Sequence, residues 1–475
     1  MKKEPFFFQE LEQYKNATAL ITEQGEPISY QELVEQADCW ASQIEPHCLV
    51  FLLCKNTVES VIGYLGCMRK QIVPVLLSAQ IDPGLLQRLL DCYHPSYLWA
   101  PATSEVFGEV VAQKATYVLR KTTFVLDYSI GEELALLLPT SGSTGSPKLV
   151  RQTRRNIQKN TESILSYLPI CASDRAITTL PMYYTYGLSI LNTHLCIGAS
   201  VILTEATLLQ STFWQLLEKQ KATTFGGVPY TYEMLKKLHW ERKEGHSIRY
   251  LTQAGGKLGK ELMEQFIAIG EKKKIPLIVM YGQTEATARM SYLPWERAKE
   301  KIGSIGIAIP GGRFSLVDEK GKEVEKPGEV GELIYFGENV TPGYAESRWD
   351  LEQSDANQGR LETGDLAKRD KEGFFYLVGR KKRFLKLFGN RVNLDEVEQL
   401  LKKEGIESVC SGRDDRLVVF LTNPKQKKQA EEFLVGHTGI QKGGLILKEI
   451  AAIPRSETGK IQYAALEIED GEKGG

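Results

Sequence analysis

ALLLPTSGSTGSPKLVRQT, residues 135–153, is the stretch on which the reading of this chain turns. The apolar run Ala135–Leu138 has the look of a buried strand, and it leads into a loop of Gly, Ser and Thr that leaves through Pro147 and Lys148. Gly142 and Gly145 let the backbone bend so that its N–H groups converge on an anion. Ser141, Ser143 and Thr144 add hydroxyl donors, and Lys148 adds charge. A flexible linker shares this composition. It would need neither the strand before the loop, nor the apolar-polar alternation after it, nor the Pro-Lys exit. Phosphate binding is therefore expected. In the common phosphate loop the lysine directly follows the second glycine, whereas here Ser146 and Pro147 intervene.

Working outward, strand-like runs alternate with helical periodicity: VFLLC near 51, IVPVLL near 74, AITTLP near 178, SVILT near 202 and TTFGGVP near 226. Helices are expected from Ser29 to Ile44 and from Leu209 to Lys219. The alternation predicts an α/β fold with largely parallel sheets. Near residue 310, Gly, Pro and charged residues thicken in GGRFSLVDEKGKEV and GEVGELIYFG, which predicts a smaller β-rich subdomain. A second boundary is expected at Gly379–Arg383, in VGRKKRFLK, although that basic run also reads as a surface turn. The expected domains are residues 1–380 and 381–475.

The composition excludes several functions. The 475 residues exceed what one core supports, so two or three subdomains are expected. With 59 basic against 60 acidic residues, nothing suggests nucleic acid as a partner. The apolar runs are too short for a membrane span, and the terminal MKKEPFFFQELEQ is too short for a signal peptide. The eight cysteines form no C-x-x-C pair and the histidines no metal spacing, so buried reduced thiols in a cytoplasmic enzyme are expected rather than zinc or disulfides.

The loop, with Thr140 at its head, resembles the signature of the adenylate-forming superfamily, which includes acyl-CoA synthetases and peptide-synthetase adenylation domains. The family's other signatures follow in order: QAGGK at 253–257, YGQTEA at 281–286, ETGD at 362–365, GRKKRFLKLFGNRV at 379–392 and RSETGK at 455–460. The resemblance implies a large α/β domain and a small mobile α+β C-terminal domain. It also implies ATP and Mg2+, with coenzyme A or a carrier-protein phosphopantetheine as acyl acceptor. The reaction implied is activation of a carboxylic acid as acyl-AMP, then thioester formation. Alternatives are a non-thiol acceptor and a nucleotide-binding regulatory homologue.

Roles follow residue by residue. Glu285 offers a hard oxygen ligand for magnesium, and Thr284 a phosphate contact. Tyr281 and Gly282 would flank the adenine on one side, with Gly255 and Gly256 on the other, and Gln283 is a further ATP-binding candidate. Asp365 would accept both ribose hydroxyls, Arg380 would also reach the ribose, and Arg391 the phosphates. Lys460 would stand between the attacking carboxylate and the α-phosphate, where a fixed cation lowers the cost of bringing two anions together. Lys382 occupies the family's hinge, and the loop around Gly389 would face the thiol.

Candidates for the acyl pocket are Tyr184, Gly227 and Arg289. None of Pro181–Ser189 is acidic, which disfavours a free α-amino acid as the small carboxylic acid substrate. Arg289 reads either as a surface residue or as an inward guanidinium. The inward reading requires a substrate carboxylate, hydroxyl or carbonyl. The C-terminal region lacks a stretch usual in the family, which leaves a carrier protein open as partner.

Overall fold

A computed structural model describes residues 6–139, 148–243, 246–387, 390–438, 442–455 and 461–466. The chain divides into two compact units, residues 1–314 with 335–361, and residues 315–334 with 362–475. Residues 380 and 381, where a domain boundary is expected from sequence, both fall in the second unit.

The first unit holds two large sheets. In the eight-stranded one, Leu49–Cys54 lies between Val73–Ser78 and Tyr97–Pro101, and all three run parallel. Every residue of Leu49–Cys54 is buried, as a strand covered on both faces requires, and that explains its unbroken apolar run. Leu134–Pro139 joins this parallel core beside Val73–Ser78, and Leu149–Thr153 returns antiparallel to it. The residues between these two strands are the Gly/Ser/Thr loop. Gly343–Ala345 then pairs antiparallel with Leu149–Thr153, Tyr344 opposite Val150, and completes that side of the sheet.

The nine-stranded sheet brings the remaining upstream signatures together. Thr224–Gly227, Tyr250–Gln253 and Leu277–Tyr281 are adjacent and parallel. Gly227 stands opposite Gln253, and Gln253 opposite Val279. The three chains thus leave the sheet at one edge, the carboxyl ends of parallel strands, where α/β proteins place ligands.

Helix Tyr30–Ala41 starts where its capping box dictates, with the Glu32 N–H donating to Ser29 Oγ at 3.1 Å and the Ser29 N–H to Glu32 Oε2 at 2.8 Å. It ends before the expected Ile44, which is buried beyond the helix end, so apolar spacing outlasts the helix. The expected helix at 209 begins at Ser211, with Leu209 left exposed.

The β-rich stretch is a four-stranded sheet of Gly312–Val317, Val330–Gly337, Arg360–Arg369 and Phe375–Arg380. Further along the second unit, Phe384–Leu387 pairs with Asn390–Asn393. Helix Leu394–Lys403 packs with strands Ser408–Arg413 and Arg416–Leu421 around Val397, Leu401, Cys410 and Val419. All eight cysteines are free. Among the described residues, no helix is long and apolar enough to cross a membrane.

Candidate active site

The segment YGQTEATAR leaves strand Leu277–Tyr281 and forms a short 3-10 turn at Thr284–Ala286. Such an irregular run exposes carbonyls that a ladder would otherwise satisfy. Side chains from elsewhere fill that need. Asn339 Nδ2 donates to the Ala286 and Arg289 carbonyls, at 2.9 Å each, and Asn160 Nδ2 to the Arg289 carbonyl at 3.0 Å. Gln152 Nε2 reaches the Thr284 and Thr287 carbonyls, and Thr185 Oγ1 donates to that of Thr287. Thr287 itself has φ +65°, a strained value for a β-branched residue that this network holds in place. A Cβ on Gly282 would collide with the Ala288 carbonyl, so glycine is required where the chain turns back on itself.

The geometry places Glu285 beside a residue that the motifs do not announce. Tyr344 donates its hydroxyl to Glu285 Oε1 at 2.6 Å. The ring of the same tyrosine carries Lys148 Nζ 3.8 Å from its centroid, and Lys148 also pairs with Glu346 at 3.2 Å. Lys148, the exit residue of the phosphate loop, and Glu285 are therefore joined through one side chain. Burial, and next the Glu285 charge, push the Tyr344 hydroxyl above its ordinary pKa, which keeps it a donor. Thr140 to Gly145, with the hydroxyl and glycine cradle, lie outside the described residues, as do Gly389 and Lys460.

Magnesium fits Glu285. Among the described residues, no three His, Cys, Asp or Glu side chains gather to make an all-protein cage. Mg2+ is usually held by one or two carboxylates with the substrate's phosphates and water completing the shell.

Tyr184 and Gly255 also meet. Gly255 has φ +79°, and a Cβ there would stand 2.5 Å from the Tyr184 hydroxyl, so backbone and ring approach closely. Tyr184 is buried, at the start of helix Thr185–Cys196. Gly256 lies against Pro229, and a Cβ on Gly227 would press on Thr231 and Tyr232. Gln283 Nε2 donates to the Tyr281 hydroxyl at 3.2 Å.

The inward reading of Arg289 is the one observed: the residue is 2% exposed. Its guanidinium lies 4.3 Å from the centre of the Tyr186 ring, Nη2 donates to Ser189 Oγ at 2.8 Å, and Nη1 approaches Met280 Sδ at 2.6 Å. Nε has no partner among the described residues. Burial raises Tyr167 and Tyr186, each to about 12, while the Arg289 charge opposes the rise in both.

In the second unit, Asp365 and Arg380 face one another across the strand pair Arg360–Arg369 and Phe375–Arg380. Arg380 Nε lies 3.3 Å from Asp365 Oδ1, with the aspartate buried and the arginine exposed. Lys382 belongs to the 3-10 turn Lys381–Arg383, and Arg391 stands opposite Lys386 in the next hairpin. For these two residues only the backbone is described.

Comparison with known proteins gives this arrangement a context. The family model described as AMP-binding enzyme matches residues 7–345. The chain belongs to the AMP-binding enzyme family. A 2-succinylbenzoate–CoA ligase of Enterococcus faecalis is 31% identical to this AMP-binding enzyme over 390 residues, 80% of this chain and 79% of the relative. An oxalate–CoA ligase of Arabidopsis thaliana is 27% identical over 384 residues, 75% of this chain and 74% of the relative. Among solved structures, the o-succinylbenzoate CoA synthetase of Bacillus subtilis with its acyl-adenylate intermediate shares the fold. Its TM-score is 0.80 at 22% identity, with 100% of both chains covered. This AMP-binding enzyme is thus an adenylate-forming ligase of the acyl-CoA synthetase type, which uses ATP to activate a small carboxylic acid as acyl-AMP and passes the acyl group to a thiol.

Proposed function

We propose that the acid this ligase activates carries a second anionic group, which Arg289 receives. The buried guanidinium carries this reading. It has the Ser189 hydroxyl, the Met280 thioether, the Tyr186 ring and the Tyr167 hydroxyl around it and no ion pair with an acidic side chain among the described residues. A buried charge without a counter-charge costs several kcal/mol, and a bound anion in bidentate contact offsets that cost. Arg289 shares its surroundings with Tyr184 and Tyr186, in one cluster beside the Gly255 turn. The relatives named for oxalate and 2-succinylbenzoate act on dicarboxylic acids, which supports the same class here.

In this reading one carboxylate of the substrate attacks the α-phosphate of ATP and pyrophosphate leaves. Lys460 and the Thr140–Gly145 loop stabilise the charge, as the resemblance implies. Glu285 would hold the magnesium, which would neutralise phosphate charge, with Thr284 on a phosphate. Asp365 and Arg380 hold the ribose, and Arg391 reaches the phosphates. Coenzyme A then attacks the acyl carbonyl through its sulfur and displaces AMP. Coenzyme A, rather than a carrier protein, is supported by the names of the relatives. The free thiols suit a cytoplasmic setting.

The test is pyrophosphate release over a panel of monocarboxylic, dicarboxylic and sulfonated acids. The wild-type enzyme should favour the dianions by about a hundredfold in kcat/KM, in line with the 2–5 kcal/mol of a buried charge pair. Arg289→Met should lose that preference while gaining, or at least keeping, thermal stability without substrate, since a hydrophobe replaces an uncompensated charge. A wild-type enzyme that prefers neutral-tailed acids overturns the assignment.

A further inference from the structure

The family signatures supply Lys148 and Glu285 but not what sets them relative to each other, and Tyr344 touches both. We propose that Tyr344 is a positioning residue for MgATP: its hydroxyl orients the Glu285 carboxylate while its ring face seats the Lys148 ammonium. The proposal rests on the reading of Glu285 as the magnesium ligand.

The contacts fit this task. A hydroxyl donating to a carboxylate at 2.6 Å is a short, charge-assisted hydrogen bond. It fixes Oε1 and leaves the second oxygen of Glu285 to a cation. An ammonium 3.8 Å from a ring centroid is seated by the ring's quadrupole, which adds no net charge of its own beside the Glu346 carboxylate 3.2 Å from the same ammonium. Lysine and glutamate, which would attract one another directly, are thus held by different parts of one stiff side chain.

The backbone of Tyr344 is fixed as firmly. It stands opposite Val150, two residues beyond Lys148. Arg151, buried, donates from Nε to the Tyr344 carbonyl at 3.2 Å and from Nη2 to those of Pro342 and Ser354 at 3.1 and 3.3 Å. Its Nη1 donates to the Gln353 carbonyl at 2.5 Å. Tyr93 donates its hydroxyl to the Ala345 carbonyl at 2.7 Å, and the Thr341 N–H donates to the Glu285 carbonyl at 2.9 Å. Segment 341–345 therefore holds both the strand after the phosphate loop and the turn that bears Glu285.

Calorimetric titration with MgATP, and with ATP in the presence of EDTA, separates the two halves of the claim. Tyr344→Phe keeps the ring and removes one oxygen. It should weaken MgATP binding about tenfold to a hundredfold, the usual cost of losing a group that orients a metal ligand, and leave metal-free ATP unchanged. Tyr344→Leu should weaken metal-free ATP as well, since Lys148 then loses its seat. Neither variant should slow thioester formation from supplied acyl-AMP, whereas a purely structural role would lower melting temperature and both half-reactions together. The idea is overturned if Tyr344→Phe binds MgATP like the wild type, or weakens both titrations equally. Glu285→Gln is the control. If it retains the magnesium-dependent gain in affinity, the ligand assignment itself is wrong. If it loses the gain while Tyr344→Phe keeps it, the positioning role is wrong.

Discussion

Asp365 is a carboxylate buried beside an arginine that faces solvent. A pair with one exposed partner contributes little to stability, so the acid is free to be judged by binding. Asp365→Ala is expected to raise the KM for ATP at least about tenfold, since hydrogen bonds to a charged acceptor contribute roughly 1.5–3 kcal/mol each. An unchanged ATP response in a folded variant would put the ribose elsewhere. For Lys460→Ala the expected loss is about two to three orders of magnitude in acyl-adenylate formation, with far less effect on transfer from supplied acyl-AMP. Equal loss in both steps would refute the role. Glu285 and Asp365 stood out as candidates because each sits inside a short run of diagnostic neighbours. Tyr344 was not, because its chemistry comes from Glu285, 59 residues away, and Lys148, still further off in sequence. Nothing in TPGYAES announces a partner. The inward turn of Arg289 was legible only as one of two options, since burial is decided by Tyr186, Ser189 and Met280 on other elements.

Among the elements, the 3-10 turn Lys381–Arg383 bears on the hinge. Such turns have φ values close to that of proline, so Lys382→Pro is expected to preserve adenylation and to block thioester formation if this residue pivots between the two steps. Pyrophosphate release and thiol consumption, assayed separately, read this out; wild-type rates in both would rule out a pivot at 382. Elements were legible in proportion to their burial. Leu49–Cys54 and Val73–Ser78 stood out as apolar runs, whereas the edge strand Glu109–Lys114, exposed along most of its length, carries no such pattern and was missed. Helix ends were misplaced by a few residues because apolar side chains such as Ile44 go on packing after the helix has stopped.

At the scale of the whole molecule, α/β layering followed from the alternation of strand and helix, while the antiparallel edge formed by Gly343–Ala345 depends on pairing with Leu149–Thr153, far away in sequence. The core also sets a pH limit. His194 is buried, its Nδ1 2.8 Å from the Ile190 carbonyl, and Nε2 has no partner among the described residues. Burial lowers its pKa below 6.5. The unfolded chain therefore binds this proton first on acidification. The contribution is complete above about pH 6.5 and is lost as the pH falls toward the folded value. Melting temperature should decline in that window, and His194→Gln should flatten the decline; an identical profile in the variant would clear His194 of the effect.

The bond from Arg151 to the Tyr344 carbonyl spans 193 residues. During synthesis at about 5–20 residues per second, strand Leu149–Thr153 leaves the ribosome roughly 10–40 s before the segment that covers its edge and accepts its guanidinium. For that interval the nascent chain carries a bare strand edge and a cation destined for burial. The enzyme's yield in a cell should therefore depend on how well chaperones shield the first three hundred residues, and slowing translation upstream of Gly343 should lower it.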